Sequence, residues 1–572
     1  MRKLTRSGLA KTSSAIYFLV TPLASAVAAA PADRPLFTDV AEATGLDFVH
    51  WNGMTGELYF VEMTGQGGAF LDYDGDGDLD VYLVQGAPLP GKPLAAFPGP
   101  GPPRDRLFRN DLDKGKGLAF VDVTAESGLD ATGYGMGMAV GDVDNDGHVD
   151  LYVTNYGPNQ LWRNRGDGTF EDVTAKSGTD DPRWSTSAAF FDFDADGWLD
   201  LYVVNYVDYR VEDKVVCYAT SSRRDYCGPS SFQPVADKLL RNRGDGTFEE
   251  VTLRLLLGYR PGPGLGVVSG DFNGDRRLDL YVANDGAVNQ LWLQTADAAF
   301  RDEALMAGVA VNRSGQSEAS MGVDAGDGDG DGDLDLVLAH LMGETNTLYL
   351  NDGGALFTDR SVESGIASPS FGFTAFGAGW IDYDNDGWLD LLTVNGAVKI
   401  LEELARQGDP YPLGQANQLF RNLGGRFEDV TARAGEAFAR AEVSRGAAFG
   451  DVDDDGDVDV LVTNSNGRAR LLVNQTGQDN PWVGLRLTDG RRDQLGATVR
   501  VERPGPPVLA RRARTDGGYC SAHDPRVLIG LGAAAGPVTV RVDWPGGASE
   551  KWQKIPIDRY TTLRRGAGET VR

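Results

Sequence analysis

The chain has 572 residues, with 83 acidic against 54 basic side chains and a formal net charge of −29. It is longer than a typical single domain. So acidic a surface repels nucleic acid and anionic membranes, which argues against both as partners.

The N-terminus reads as a secretory signal. Arg2, Lys3, Arg6 and Lys11 are basic, Ala15 to Ala24 form an apolar run, and A-x-A cleavage options end at Ala28 or Ala30. The run is too short to cross a membrane, which takes about 20 residues. No cysteine near the cleavage site offers a lipid anchor. The expectation is a secreted or periplasmic protein that loses residues 1–30 and has no membrane span.

After a β-like FTDV (37–40) and a loop carrying His50, Trp51, Tyr59 and Glu62, a nine-residue phrase begins: Asp-x-Asp-x-Asp-Gly-x-x-Asp. It recurs seven times, each copy followed by a short β-rich run such as LDVYLV or VDLYVTN. Positions 1, 3, 5 and 9 are Asp72, Asp74, Asp76 and Asp80 in the first copy, then Asp142, Asp144, Asp146 and Asp150. The third and fourth copies give Asp192, Asp194, Asp196 and Asp200, then Asp271, Asn273, Asp275 and Asp279. The last three give Asp327, Asp329, Asp331 and Asp335, then Asp382, Asp384, Asp386 and Asp390, then Asp451, Asp453, Asp455 and Asp459.

Carboxylates at alternate positions of one tight loop make a cage of hard oxygens, the chemistry that selects Ca2+. Glycine at position 6 permits the bend, and position 7 can offer its carbonyl whatever its side chain. An EF-hand would need Glu at position 12. Here that position is Leu83, Val153, Val203, Val282, Leu338, Thr393 or Val462, inside β-like runs. Position 9 is expected to replace the missing Glu. The fourth copy, with Asn273 at position 3 and Arg276 in place of glycine, is expected to be the weakest site. The bland alternative for all seven is a solvated acidic turn. Up to seven bound Ca2+ would supply fourteen positive charges against the deficit.

The full repeat has four β-like elements. A small-residue strand precedes each Asp loop and a DLYVTN-like strand follows it. The third is LFRN-like (107–110, 161–164, 239–242, 291–294, 348–351, 419–422, 471–474) and the fourth FEDVT-like. The chain starts on a fourth element at Phe37 and ends the array on a third at Asn474, so the leftovers complete one unit. That is the expectation for an all-β, seven-bladed β-propeller over residues 31–480, with Ca2+-binding hairpin loops and no exposed sheet edge. The insertions Gly86–Arg104, Tyr206–Asp237 and Gly396–Ala416 all fall between second and third strands. They therefore belong to the face opposite the Asp loops, the expected binding surface. Cys217 and Cys227, ten apart in one insertion, suit a local disulfide in an exported protein. Cys520 is expected to be a buried thiol. Residues 481–572 read as a small β-rich module, with alternating VRVE and VTVRVDW segments.

The repeat resembles the FG-GAP/VCBS type, the Ca2+-loop propeller of integrin α subunits, over about Pro35 to Asn474. The tail, with QLGATVRVERPG, GGYCSAHDPRVLIGLG and VTVRVDWPGG, resembles the ASPIC/UnbV domain that follows such repeats in the cartilage acidic protein family. The resemblance implies a secreted, Ca2+-binding, adhesive or matrix-associated protein. Structural Ca2+ and an unidentified glycan or protein ligand form the leading expectation. The alternative is a polysaccharide hydrolase or lyase using the insertion face or central channel, with His50, Glu62 and His340 as acid/base candidates. His148 is a loop position-7 residue and His523 lies in the tail. No nucleophile elbow, zinc cluster or phosphate loop is present.

Overall fold

The computed structural model describes residues 34–112, 116–502, 508–534 and 536–571. The segment read as an export signal lies outside them. From Pro35 onward the chain is one compact unit.

The fold is all-β, built of antiparallel four-stranded sheets that follow the repeat. The first sheet runs Gly68–Leu71, Asp80–Leu83, Arg106–Asn110, Phe120–Asp122 in order of pairing. Six more sheets repeat this order, with first strands beginning at Gly135, Ser185, Gly264, Val323, Ala375 and Ser444. In the fourth, Leu256–Leu257 adds a parallel edge strand beside Phe300. In the seventh, the outer strand is Phe37–Asp39, paired antiparallel with Arg470–Asn474 in the register Phe37 to Asn474. The two leftover elements of the sequence therefore do complete one unit.

Each first strand packs against the first strand of the next sheet, and Gly68–Leu71 also packs against Ser444–Gly450. These strands are wholly buried, as in GMGMAVG and STSAAFF. Apolar clusters lie between sheets rather than within one: Tyr82 and Val84 of the first pack with Met138, Val140 and Leu151 of the second. The FEDVT-like element ends each sheet in a short helical turn. Asp172 Oδ1 accepts the Thr174 N–H at 2.9 Å, a donor the turn would orphan, and the Thr174 hydroxyl ties the turn to the third strand by accepting the Leu161 N–H at 2.8 Å.

The tail forms two further sheets. In one, Trp482–Asp489 pairs with Val527–Gly530 and, in parallel, with Tyr560–Arg564. In the other, Thr498–Glu502 lies between Leu509–Arg512 and Val538–Asp543, followed by Ser549–Ile555 and Glu569–Val571. Between them, residues 514–524 pack against the first strands. Thr515 bonds Val140, Asp516 takes the Ser269 N–H, Gly518 pairs with Val323, and Ala522 bonds Gly68. The small residues of the first strands now have a reason. A Cβ on Gly67 would sit 1.6 Å from the Cys520 carbonyl oxygen, and one on Gly137 2.8 Å from the Cys520 Cα. Cys520 is a fully buried thiol, pushed up to about 12 by burial.

Candidate metal loops

Each Asp loop is a hairpin connection between the first two strands of a sheet. Position 6 has positive φ throughout, from +92° to +100° at Gly77, Gly147, Gly197, Gly332, Gly387 and Gly456. Position 4 is left-handed too, and there the residues include Asn145, Ala195, Asn385 and Asp454. At the Asp271 loop Arg276 takes φ +67°, a region costing a side chain about 1–2 kcal/mol. The loop still closes, because the Arg276 N–H reaches Asp271 Oδ2 at 2.7 Å. From the tail, the Gly546 N–H donates to the Arg276 carbonyl at 2.8 Å.

Among the described residues, at least five loops bring three carboxylates together, with one oxygen of each within 4.8 Å of the others. They include Asp72, Asp74 and Asp80; Asp142, Asp144 and Asp146; Asp192, Asp194 and Asp200; Asp327, Asp329 and Asp335; and Asp382, Asp384 and Asp390. Within them the two oxygens of a carboxylate have different fates. Asp192 Oδ2 accepts the Gly197 N–H at 3.0 Å, and Asp194 Oδ2 accepts Arg241 Nε at 2.6 Å. Asp382 Oδ2 accepts the Gly387 N–H at 3.1 Å, and Asp384 Oδ2 pairs with Arg421 at 2.8 Å. The Oδ1 atoms of Asp192, Asp194, Asp382 and Asp384 are buried with no hydrogen-bond donor. Buried, unpaired carboxylate oxygens are costly; one cation among them would satisfy several at once. Burial pushes Asp327 and Asp382 up to about 7, and holds Asp200 and Asp390 well above the usual carboxylate range. In the Asp271 loop Asn273 replaces one carboxylate, and Arg277 pairs with Asp275.

Position 9 has a structural duty the sequence did not reveal. Asp150 Oδ2 accepts the Val143 N–H at 2.9 Å within its loop, while Oδ1 accepts the Asn164 N–H at 2.8 Å from the third strand. Asp80 and Asp459 do the same with Tyr73 and Asn110, and with Val452 and Asn474. The Asn ending the third strand also ties neighbouring sheets. Asn164 Nδ2 donates to the Tyr73 carbonyl of the preceding loop at 2.7 Å, and Asn110 Nδ2 to the Val452 carbonyl of the seventh at 3.1 Å. The repeated LFRN signal was visible, but its Asn was not expected to be the link.

The tail lies on the loops. Arg526 donates to Asp454 Oδ1 and the Asp451 carbonyl, both at 2.7 Å, and the Tyr560 hydroxyl to Asp451 Oδ2 at 2.9 Å. Arg491 reaches the Asp146 carbonyl, Arg500 the Gly332 carbonyl, and Arg511 the Gly387 carbonyl.

At the other end of the first strands the insertions interlock over residues 50–64. Trp51 Nε1 donates to the Ala95 carbonyl at 3.2 Å, the Tyr226 hydroxyl to Glu62 at 3.0 Å, and the Tyr411 hydroxyl to the Glu62 carbonyl at 2.8 Å. Phe60 packs among Trp184, Tyr206, Tyr209 and Phe232. Of the two aromatic residues read onto this face, Trp51 is buried and Tyr59 is partly exposed. Glu62 is fully buried, and burial raises it to about 7. His50 and His340 are 2 % exposed and pushed down, to about 3 and about 4, by burial. These three do not converge on an open cleft. Cys217 and Cys227 form the expected disulfide, bracing one insertion. No helix among the described residues is long and apolar enough to cross a membrane.

Residues 72–153, 142–203, 226–282, 271–338 and 327–393 match the FG-GAP-like repeat model, and 487–570 match ASPIC and UnbV. Human cartilage acidic protein 1 is 34% identical over 112 residues, which covers 18% of this chain and only 15% of that protein. An Agrocybe aegerita lectin that recognises non-reducing terminal N-acetylglucosamine aligns at TM-score 0.35 and 16% identity, over 61% of this chain and 85% of the lectin. The Photorhabdus luminescens Tc holotoxin pore aligns at TM-score 0.32 and 14% identity, over 81% of this chain and 23% of that one. The chain belongs to the FG-GAP-like repeat family and ends in an ASPIC and UnbV domain.

Proposed function

We propose that this chain is an exported binding or adhesion module for a glycan or protein. In this reading its seven sheets are the blades of a closed β-propeller braced by structural Ca2+ in the Asp loops. The observation that carries the metal reading is the set of buried carboxylate oxygens converging without a donor, each on a side chain whose other oxygen is already tied. Oxygen-only ligands on a tight loop favour Ca2+ over softer metals. The loops join strands of one sheet and lie beneath the tail, so the ions fasten the fold rather than face a substrate. Binding to the folded state alone stabilises it by mass action.

Binding is preferred to catalysis because Glu62, His50 and His340 are enclosed. Melting of the purified protein in excess chelator tests the metal reading: the midpoint should fall by ten degrees or more and return with Ca2+. An unchanged midpoint in protein shown to be metal-free would remove it. A glycan and matrix-protein binding screen, with and without Ca2+, tests the role. Turnover of a polysaccharide in that screen would replace binding with catalysis.

A further inference from the structure

The seventh loop differs from the others in a way the repeat does not require. Its position 7 is Asp457, which is fully buried, and neither of its carboxylate oxygens has a hydrogen-bond donor. The Asp residues at position 7 of the first and fifth loops, Asp78 and Asp333, are partly exposed. Position 7 serves a loop cation through its carbonyl, so the Asp457 side chain is free for another use. Its strongest electrostatic neighbour is Asp455. The turn after the last strand closes over it: a Cβ on Gly477 would stand 2.2 Å from the Asp457 Cβ. That turn is fixed by Asn385, whose amide donates to the Gly456 and Gly477 carbonyls at 2.8 and 3.0 Å. The next residue, Gln478, sets its side-chain amide against Asp455 Oδ2. An amide can turn its oxygen where its nitrogen lies, so Gln478 can serve as a further oxygen ligand.

Resting on the metal reading of the loops, we infer that the seventh loop holds a second divalent cation beside the first. Asp457 and Gln478 bind it, and Asp455 is shared between the two ions. Charge supports two ions over one. Residues 451–459 hold six carboxylates; with Asp454 paired to Arg526, Asp451, Asp453, Asp455, Asp457 and Asp459 remain, so one dication leaves three negative charges in a buried site and two leave one. Arg526 is engaged elsewhere, by Asp524, Asp454 and the Asp451 carbonyl. Two dications sharing a carboxylate sit about 3.5–4 Å apart, a span that one shared Asp455 can bridge.

Two measurements decide it. Crystals of the full chain grown with Mn2+ should show two anomalous peaks at the seventh loop, about 3.5–4 Å apart. Native mass spectrometry in Ca2+ should count one ion fewer for Asp457→Asn, a substitution that keeps the side chain's shape, than for the natural protein. A single peak at this loop, or equal counts, overturns the inference. If Asp457→Asn fails to fold, the map of the natural protein still decides. Ions in other loops with one here refute this inference alone, whereas no ion in any loop refutes the metal reading beneath it.

Discussion

Replacing Tyr519 by Ala tests whether the tail is part of the fold or an appended module. Its side chain is fully buried, its ring lies edge-on to Phe376 with centroids 4.9 Å apart, and its hydroxyl donates to the Thr64 carbonyl at 3.0 Å. Removing a buried aromatic ring costs about 3–5 kcal/mol. Stripping the buried Thr64 carbonyl of its donor adds about 1 kcal/mol or more. The expected loss is about 4–6 kcal/mol, carried by the whole molecule, because Thr64 belongs to the segment that the insertions grip. Tyr519→Phe should lose only the hydrogen-bond part, about 1 kcal/mol. The assay is urea unfolding followed by both tryptophan fluorescence and circular dichroism, at fixed Ca2+. One coincident transition should move to lower urea with an unchanged slope. Two separate transitions, or a loss under about 1 kcal/mol for the Ala variant, would refute the packed-tail account.

Three further outcomes follow from the loops. In chelator, Asp80 is raised to about 8 and Asp327 and Asp382 to about 7 by burial, against about 3.9 in an unfolded chain. These carboxyls then bind more protons in the folded state, so the stability they contribute is full below about pH 4 and is lost as pH rises through 7 to 8. The melting midpoint of ion-free protein should therefore fall steeply from pH 5.5 to pH 8.5. Loaded protein should keep only the shallower fall due to carboxyls outside the loops, among them Glu62, Asp105 and Asp237, each raised to about 7; a midpoint rising with pH in chelator would contradict this. Asp144→Ala should lower the Ca2+-loaded midpoint more than Asp275→Ala, whose loop already lacks one carboxylate; equal shifts would undo that ranking. Asn110→Ala removes the bridge to the Leu79 and Val452 carbonyls, at 3.2 and 3.1 Å. It should cost about 2–4 kcal/mol, one to two for each buried carbonyl left bare, and a cost near zero would show that the bridge adds nothing.

The repeat made most of this legible. Four elements, seven loops and a broken phase translate directly into strand order, because side-chain alternation and turn chemistry are local properties. What escaped the sequence is non-local. Nothing in GGYCSAHD marks it as a segment that packs against first strands, since its partners Val140, Ser269 and Val323 are spread across the chain. The Gly67 and Gly137 positions carried the signal, but small residues also suit any tight strand packing. The insertion face was placed correctly opposite the loops. Part of that face is interior, because Phe60, Trp184 and Tyr209 pack on one another. The second duty of position 9 was hidden by the first, for an Asp that caps two backbone N–H groups looks the same in sequence as one that awaits a metal.

The charge of −29 concealed the relation between the parts. Residues 481–572 carry sixteen Lys and Arg against nine Asp and Glu, a net of +7, which leaves −36 for the remainder. The basic module rests on the Asp loops, and Arg491, Arg500, Arg511 and Arg526 bond backbone carbonyls there more often than carboxylates. That choice matters physically. A guanidinium seated on a carbonyl steadies the loop, and where the tail does reach a loop carboxylate, from Arg492, Arg511 and Tyr560, it meets the Oδ2 of Asp192, Asp382 and Asp451, leaving Oδ1 for a cation. The opposite net charges of the two parts favour the tail at this face. The buried Tyr519 and the backbone bonds of residues 515–524 hold it there, together with the buried pairs Arg492 with Asp192, Arg511 with Asp382 and Arg514 with Asp324. Neutralising the loops with dications should therefore weaken that preference and leave the dock intact.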